Sequence, residues 1–297
     1  MQSKNTIQQI VNRLTDNHQI AYPNIPLRQS RVPSPARIRE MTEVIRSIVF
    51  PGYFGDSSVN EGSLVDNTKL YIDKLTNLLS SQIYDALFFE TQEPAPAEAE
   101  EESRRLTARF LESLPRIKYL LSTDIKAIFN TDPAATCLGE VIFCYPAVKA
   151  ISNYRIAHEL SLLKIPVLPR IISESAHSET GIDIHPEAEI GEYFSIDHGT
   201  GIVIGQTTII GKHVTLYQGV TLGAKNFELD AEGRPLNIPR HPVLKDNVTV
   251  YSNSSILGRI TIGERTTIGG NVWLTHDVPP DSLIVQSKCT GNFRKIK

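Results

Sequence analysis

Cysteine is scarce in this chain, and so is an excess of charge of either sign. The 297 residues include three cysteines, Cys137, Cys144 and Cys289. This odd and sparse set predicts neither a disulfide framework nor a CxxC metal site, and we expect buried thiols. The net charge of -3 gives no electrostatic reason to expect a nucleic acid as a partner.

Long apolar runs are also missing. No stretch of about eighteen apolar residues could span a bilayer, and the first residues, MQSKNTIQQIVNRLTDNHQ, lack the apolar region of a signal peptide. The sequence therefore predicts a cytoplasmic protein without a membrane partner.

The last third of the chain has an aliphatic residue at every sixth position. Neither an α-helix nor a long alternating strand needs this period, whereas a chain coiled into triangular turns does. The hexads therefore predict a parallel β-helix of roughly four stacked coils, each of about eighteen residues. The aliphatic positions are Ile184, Ile190, Ile196, Ile202, Ile204, Ile210, Leu216, Leu222, Leu244, Val250, Ile256, Ile262, Ile268 and Leu274.

This rhythm is interrupted twice. The register slips by two residues between Ile202 and Ile204, and the segment from Ala224 to Val243 is predicted to be extruded as a loop. A loop of this length in a compact fold is usually functional or disordered. Both interruptions lie beside the candidate functional residues considered below.

Upstream of residue 170 the pattern is helical. Ser34-Pro35 resembles a helix N-cap with a first-turn proline and predicts a helix that ends near Pro51-Gly52. The acidic, Pro- and Ala-rich stretch 91–102 predicts a solvated linker, and Pro166 and Pro169 predict the passage into the β-helix. Further helices are predicted at 64–89, 103–121, 124–130 and 140–163.

The predicted fold class is α+β. An all-helical N-terminal domain is expected at 1–170, followed at 171–297 by a left-handed parallel β-helix of hexapeptide repeats with an extruded loop.

A carboxylate and an imidazole recur where the hexads begin, in DIHP at 183–186 and DHGTG at 197–201. Their separation should place Asp183 and His198 near one corner of the β-helix, on successive layers. A carboxylate beside an imidazole fixes its tautomer and stabilises the imidazolium, as a general base requires. The alternative is that Asp183 caps a turn and His198 is a surface histidine.

Arg240 and His241 end the predicted loop between two prolines, which suits recognition of a carboxylate. A loop-closing surface pair is the alternative. Asp132 precedes a proline, and from spacing alone it reads as a helix cap. His213 and His276 lie in different registers of the repeat, so no metal site of three converging imidazoles is expected.

Six segments together resemble the serine O-acetyltransferases of cysteine biosynthesis, within the hexapeptide-repeat acyltransferases. The resemblance spans about Asp132 to Ser282. The segments are DPAA at 132–135, YRIAH at 154–158, DIHPEAEIG at 183–191, IDHGTGIVIGQTTIIG at 196–211, QGVTLG at 218–223 and RHP at 240–242.

The resemblance implies acetyl transfer from acetyl-CoA to the hydroxyl of L-serine, giving O-acetyl-L-serine and CoA without a metal. His198 would be the general base and Asp183 its orienting partner. The amino and carboxylate groups of serine would be bound by Asp132, Asp197, Arg240 and His241. Acetyl-CoA would contact Gly223, Ala224, Ser252 and Gly270, of which Ala224 and Ser252 differ from the residues usual in the family.

The resemblance also implies partners. Serine O-acetyltransferases form homotrimers, sometimes paired into hexamers, and are typically inhibited by L-cysteine in the serine pocket. Many dock into O-acetylserine sulfhydrylase through a terminal isoleucine, which the end of this chain, Arg294–Lys297, lacks, so we do not expect that complex.

Three other functions stay open at this point. A related acetyltransferase could act on a sugar or on homoserine, a metal-dependent β-helix hydratase could resemble carbonic anhydrase, and a scaffold could lack activity. A clamp for both charged ends of an amino acid, made by Asp132, Asp197 and Arg240, would favour serine over a sugar.

Overall fold

The computed structural model describes residues 2–16, 31–89 and 95–286. The chain divides into two compact units, Met1–Arg31 and Val32–Lys297. The first unit contains helix α1 (Gln2–Thr15). The helices of the second unit are α2 (Pro35–Val49), α3 (Leu64–Leu87), α4 (Pro96–Thr131), α5 (Leu138–Cys144), α6 (Pro146–Leu162) and α7 (Leu168–Thr180). Among the described residues, no helix is long and apolar enough to cross a bilayer.

Within the described residues, fourteen short strands follow the helices. They are β1 (Asp183–Ile184), β2 (Glu189–Ile190), β3 (Ser195–Asp197), β4 (Val203–Ile204), β5 (Ile209–Ile210), β6 (Thr215–Tyr217), β7 (Thr221–Gly223), β8 (Val243–Leu244), β9 (Thr249–Val250), β10 (Ser255–Leu257), β11 (Thr261–Ile262), β12 (Thr267–Ile268), β13 (Trp273–Leu274) and β14 (Leu283–Ile284).

Two predicted helices are confirmed, and the predicted linker is wrong from Pro96 onward. Helix α2 begins after Ser34, whose hydroxyl accepts a hydrogen bond from the N–H of Arg37 at 3.4 Å, and α3 matches the second prediction. Residues 96–102 belong to α4, which joins two separately predicted helices, while 91–94 lie outside the described residues. Alanine and glutamate favour helix, and the Glu100–Arg104 pair adds an i,i+4 contact.

The passage into the β-helix lies later than predicted. Pro169 stands in the first turn of α7, a position that tolerates proline, and the helix ends at Gly181 with φ of 69°. The predicted helix at 140–163 is divided at Tyr145, because Pro146 disfavours helical backbone in the residue before it. Around α5, Cys137 and Cys144 are exposed rather than buried as predicted.

The strands form three parallel sheets, which are the faces of a triangular β-helix and confirm the predicted architecture. The first face contains β1, β4, β7, β10 and β13, the second contains β2, β5, β8 and β11, and the third contains β3, β6, β9, β12 and β14. All fourteen hexad aliphatics are buried. The five-stranded faces give five layers rather than four, and β14 continues the stack beyond Leu274, the last predicted aliphatic.

Both predicted interruptions are present. Thr249 pairs with Thr267, eighteen positions later, whereas Asp183 pairs with Val203, twenty positions later. The two additional residues lie where the third face turns into the first, which we call corner 3–1. The long insertion leaves the stack between β7 and β8, where the first face turns into the second, which we call corner 1–2.

A buried ion pair fixes the helices on the first coil. Arg155 on α6 binds both carboxylate oxygens of Asp124 on α4, each at 3.0 Å. Its guanidinium also donates to the carbonyls of Ile190 and Gly191 at 2.6 Å, and Asp124 accepts the N–H of Phe194. The two buried charges therefore neutralise each other, and the β-helix backbone supplies further hydrogen bonds to both side chains.

Arg155→Met should destabilise the protein strongly, because it leaves Asp124 buried without its cation. Breaking such a pair costs about 3–5 kcal/mol, which corresponds to a fall in Tm of roughly 10 °C for a unit of this size. Calorimetry would measure it. The matched control is Arg105→Met, which removes an exposed pair with Glu102 and should change Tm little. Equal melting temperatures for the two variants would contradict the assigned role.

Candidate active site

Corner 3–1 of the first coil is extended, and it carries His198. Five residues, 198–202, separate β3 from β4, compared with three, 218–220, in the next coil. His198 and Gly199 both have left-handed backbone, with φ of 58° and 85°, which is uncommon for residues other than glycine. The extension leaves the imidazole exposed, with 73% of its side-chain surface accessible.

The carboxylate nearest this imidazole belongs to Asp197. Its Oδ1 lies 3.7 Å from Nε2 of His198. Asp183 lies on the first face, paired with Val203 beyond the corner. Within the described residues no hydrogen bond or ion pair joins Asp183 to His198, so its orienting role stays a prediction.

Asp132 is brought to the same corner by the end of α4. Its Oδ2 accepts a hydrogen bond of 2.6 Å from the hydroxyl of Tyr145, and its Oδ1 accepts the N–H of Ala134 at 2.8 Å. These hydrogen bonds, Tyr145 first, lower the pKa of Asp132, and the charge of His198 acts in the same direction. Asp132 thus presents a second carboxylate beside Asp197 and His198.

Helix α4 is held along β3, which fixes Asp132 at this corner. The hydroxyls of Thr131 and Ser195 lie 2.9 Å apart, and the hydroxyl of Thr123 accepts the N–H of Tyr193 at 3.1 Å. Together with the contact between Asp124 and Phe194, these bonds set the register of the helix against the strand.

Arg240 and His241 form a separate cluster at corner 1–2. Both backbone N–H groups donate to the hydroxyl of Thr207, at 2.9 and 3.1 Å, and Arg240 donates to the side-chain oxygen of Gln206 at 2.7 Å. His241 is buried against Gly205, where a Cβ would lie 2.0 Å from the ring. Within the described residues no hydrogen bond or ion pair connects this cluster to His198.

The residues predicted for acetyl-CoA divide between the same two corners. Ser252 and Gly270 lie at corner 3–1 on coils above His198, and a Cβ on Gly270 would lie 3.3 Å from the carbonyl oxygen of Ser252. Gly223 ends β7 and Ala224 begins the extruded segment at corner 1–2. Their contact with acetyl-CoA stays a prediction.

The extruded segment is folded as a hairpin. The N–H of Asp230 donates to the carbonyl of Arg234, and the N–H of Leu236 donates to that of Glu228, both at 2.8 Å. The ring of Phe227 lies 6.0 Å from the guanidinium of Arg240. The hairpin therefore carries an aromatic contact to the predicted carboxylate-binding residue.

Sequence reasoning missed several residues beside corner 3–1. Tyr217 pairs with Asp197 one layer up, and its ring stacks on Tyr251 at 4.7 Å. The hexad register could have found this stack, because Tyr217 lies twenty positions after Asp197 in the extended coil. Tyr145 belongs to no repeat and gave no comparable signal. In the described ranges, no cluster of three or more His, Cys, Asp or Glu residues could hold a metal ion.

The comparisons with known proteins concern the family and the fold of the chain. The family model described as bacterial transferase hexapeptide (six repeats) matches residues 241–276. A serine acetyltransferase from Synechococcus elongatus is 46% identical over 260 residues, covering 84% of this chain and 80% of the relative. One from Bacillus subtilis is 45% identical over 166 residues, covering 56% and 73%.

A solved structure of a serine acetyltransferase is similar over the whole chain. Isoform 3 of serine acetyltransferase from Entamoeba histolytica, crystallised with cysteine, has a TM-score of 0.73 and 28% identity, covering 100% of this chain and 96% of its own. The chain therefore belongs to the serine acetyltransferase family. This confirms the resemblance drawn from the sequence motifs, and with it the prediction of an acyltransferase of the serine O-acetyltransferase class.

Two histidines with lowered pKa values should make the stability depend on pH. Burial first, and then the charge of Arg240, lowers the pKa of His241 to about 4, and burial with the charge of Arg170 lowers that of His185 to about 4. Below the ordinary value of 6.5, the unfolded chain binds protons that these folded imidazoles do not accept. The free energy of unfolding should therefore decrease from pH 6.5 towards 4.

His241→Gln removes one of these groups and should make the decrease shallower. Thermal unfolding between pH 4 and pH 8 would show it as a smaller change in Tm than in the unmodified chain. An unchanged pH profile would contradict the assignment of His241.

Proposed function

We propose that this chain transfers the acetyl group of acetyl-CoA to the hydroxyl of L-serine, as the first step of cysteine biosynthesis from serine, with His198 as general base. One observation carries this proposal: an exposed imidazole stands on an extended corner beside two carboxylates, Asp197 and Asp132. The imidazole can take a proton, and the carboxylates can bind the ammonium group of an amino acid.

Transfer is proposed to be direct. With the serine ammonium between Asp132 and Asp197, the hydroxyl lies at the imidazole of His198. The imidazole takes the hydroxyl proton as the oxygen attacks the thioester carbon. When the carbon–sulfur bond breaks, the imidazolium returns that proton to the CoA thiolate. A positioned base contributes about 10²- to 10⁴-fold, and holding both substrates together contributes further.

Asp183 remains the proposed orienting partner of His198. Asp183 lies on the first face, where it pairs with Val203 just beyond the corner that carries the exposed imidazole. A carboxylate acceptor would stabilise the imidazolium formed during transfer.

The serine carboxylate is proposed to bind Arg240 and His241 of a neighbouring copy. In one chain, the residues assigned to serine and those assigned to acetyl-CoA are both split between corner 3–1 and corner 1–2. Placing corner 3–1 of one copy against corner 1–2 of the next unites both sets. Such a head-to-tail contact forms a ring when the rotation between copies closes, and a threefold rotation gives the proposed homotrimer, alone or as a dimer of trimers.

L-cysteine is proposed as a feedback inhibitor in the serine pocket. It carries the same ammonium and carboxylate groups, and serine acetyltransferases of Entamoeba histolytica have been crystallised with cysteine. Inhibition that rising serine does not relieve would argue against a shared site.

The carboxylates of Asp132 and Asp197 also help to distinguish serine from other acceptors. A sugar acceptor would not need Asp132 and Asp197, whereas homoserine would satisfy them and differs from serine by one methylene. A thiol-release assay comparing L-serine, L-homoserine and a panel of sugars separates these acceptors. Membership of the serine acetyltransferase family favours acyl transfer over a carbonic anhydrase-like hydratase.

His198→Ala should retain acetyl-CoA binding and lose at least about a hundredfold in turnover, because the general base is removed. CoA release measures turnover, and calorimetry measures binding. His213→Ala is the control, since His213 lies exposed at another corner, stacked on Tyr193. Near-normal turnover in His198→Ala would exclude it as the base.

Mixing two inactive variants tests the shared site. His198→Ala and Arg240→Ala should each be inactive alone. Co-expressed, they should recover activity at about one site in four, because random mixing unites an intact His198 with an intact Arg240 from the neighbour. A chain carrying both substitutions, co-expressed with His198→Ala, is the negative control. No recovery in the mixed assembly would place both residues in one chain's site.

A further inference from the structure

The hydroxyl of Tyr145 is directed at Asp132 by the connection between α5 and α6. Tyr145 ends the first helix and precedes the second, with φ of −82° and ψ of 121°. The following proline restricts the residue before it to this extended conformation. The backbone that carries the 2.6 Å hydrogen bond to Oδ2 of Asp132 is therefore fixed on both sides.

Both oxygens of Asp132 are held by groups from its own segment. Oδ2 accepts from Tyr145, and Oδ1 accepts from the N–H of Ala134 in the turn that follows α4. A carboxylate has about four acceptor sites, so each oxygen keeps capacity for a further donor. The carboxylate is restrained without being saturated.

The hydroxyl of Tyr145 also stabilises the ionised form of Asp132, because its hydrogen bond is the largest cause that lowers the pKa of that carboxyl. The hydrogen bond to Asp132 first, then burial and the charges of nearby carboxylates, raises the pKa of Tyr145 to about 12. Tyr145 therefore remains a protonated donor throughout the neutral range.

We infer that Tyr145 is a positioning residue that orients the Asp132 carboxylate to receive the ammonium group of the acceptor, and so selects acceptors with an α-amino group. This inference rests on the proposed function. Tyr145 acts through Asp132 and takes no part in proton transfer at His198. Its loss should therefore weaken acceptor binding more than turnover.

Tyr145→Phe removes the hydroxyl alone. We expect the KM for L-serine to rise about tenfold, as for the loss of a hydrogen bond to a charged group, with kcat changed less than about threefold and the KM for acetyl-CoA unchanged. Tyr119→Phe is the matched control, because Tyr119 lies on α4 with its side chain exposed. It should leave all three constants unchanged.

Two further readouts separate positioning from a general structural effect. 3-Hydroxypropionate carries the hydroxyl and carboxylate but no amino group, so Tyr145→Phe should leave its kcat/KM unchanged while that of L-serine falls. Asp132→Asn removes the charge that Tyr145 orients. Adding Tyr145→Phe to Asp132→Asn should therefore cost little more than Asp132→Asn alone.

An unchanged KM for L-serine, equal losses for both acceptors, or additive effects with Asp132→Asn would each overturn the inference. Calorimetric binding of L-serine to Tyr145→Phe, with its Tm, keeps the test valid if turnover is low for another reason. Failure of the unmodified chain to acetylate serine would overturn the proposed function and this inference together. If the unmodified chain acetylates serine and Tyr145→Phe leaves the KM for L-serine unchanged, only this inference would be overturned.

Discussion

The stacking of inward aliphatic side chains, one coil upon the next, is the constraint on which the rest of this structure depends. Each buried residue must meet its counterpart in the layer above, as Ile204 meets Leu222 and Val250 meets Ile268. Additional residues can then leave the stack only at a corner. The extension at His198 and the hairpin that ends at Arg240 are both corner insertions, so the apolar core determines where polar chemistry can be placed.

The helices add a further polar side chain to the corner that carries His198. The Asp124–Arg155 pair fastens α4 and α6 to the first coil, and the bond between Thr131 and Ser195 aligns the end of α4 with β3. Asp132 is therefore delivered to the extended corner by a rigid helix rather than by a loop. Two carboxylates, Asp132 and Asp197, are thereby brought to one corner, although they lie sixty-five positions apart in the sequence.

The sequence predicted what is periodic and missed what depends on packing. The β-helix, the two-residue slip and the extruded segment followed from the six-residue spacing, and the motifs identified the family. Residues 96–102 are helical because alanine and glutamate favour helix, although their acidic composition predicts a linker. The contact of Asp132 with Tyr145 spans thirteen positions around a short helix, and no pattern in the chain encodes it. The repeat spacing likewise does not predict the 3.7 Å approach of Asp197 to His198, because it places Asp183 beside that imidazole.

The extended corner has a consequence for protein engineering. Although two residues are added between β3 and β4, Asp183 and Ile184 still pair in register with Val203 and Ile204, and the next coil returns to its ordinary length. An insertion at a corner is thus absorbed locally, without shifting the layers above it. The six-residue segment 197–202 could therefore be transplanted to the same corner of a higher coil, such as the one around Asn253. It would place its histidine on a different layer of the triangular β-helix.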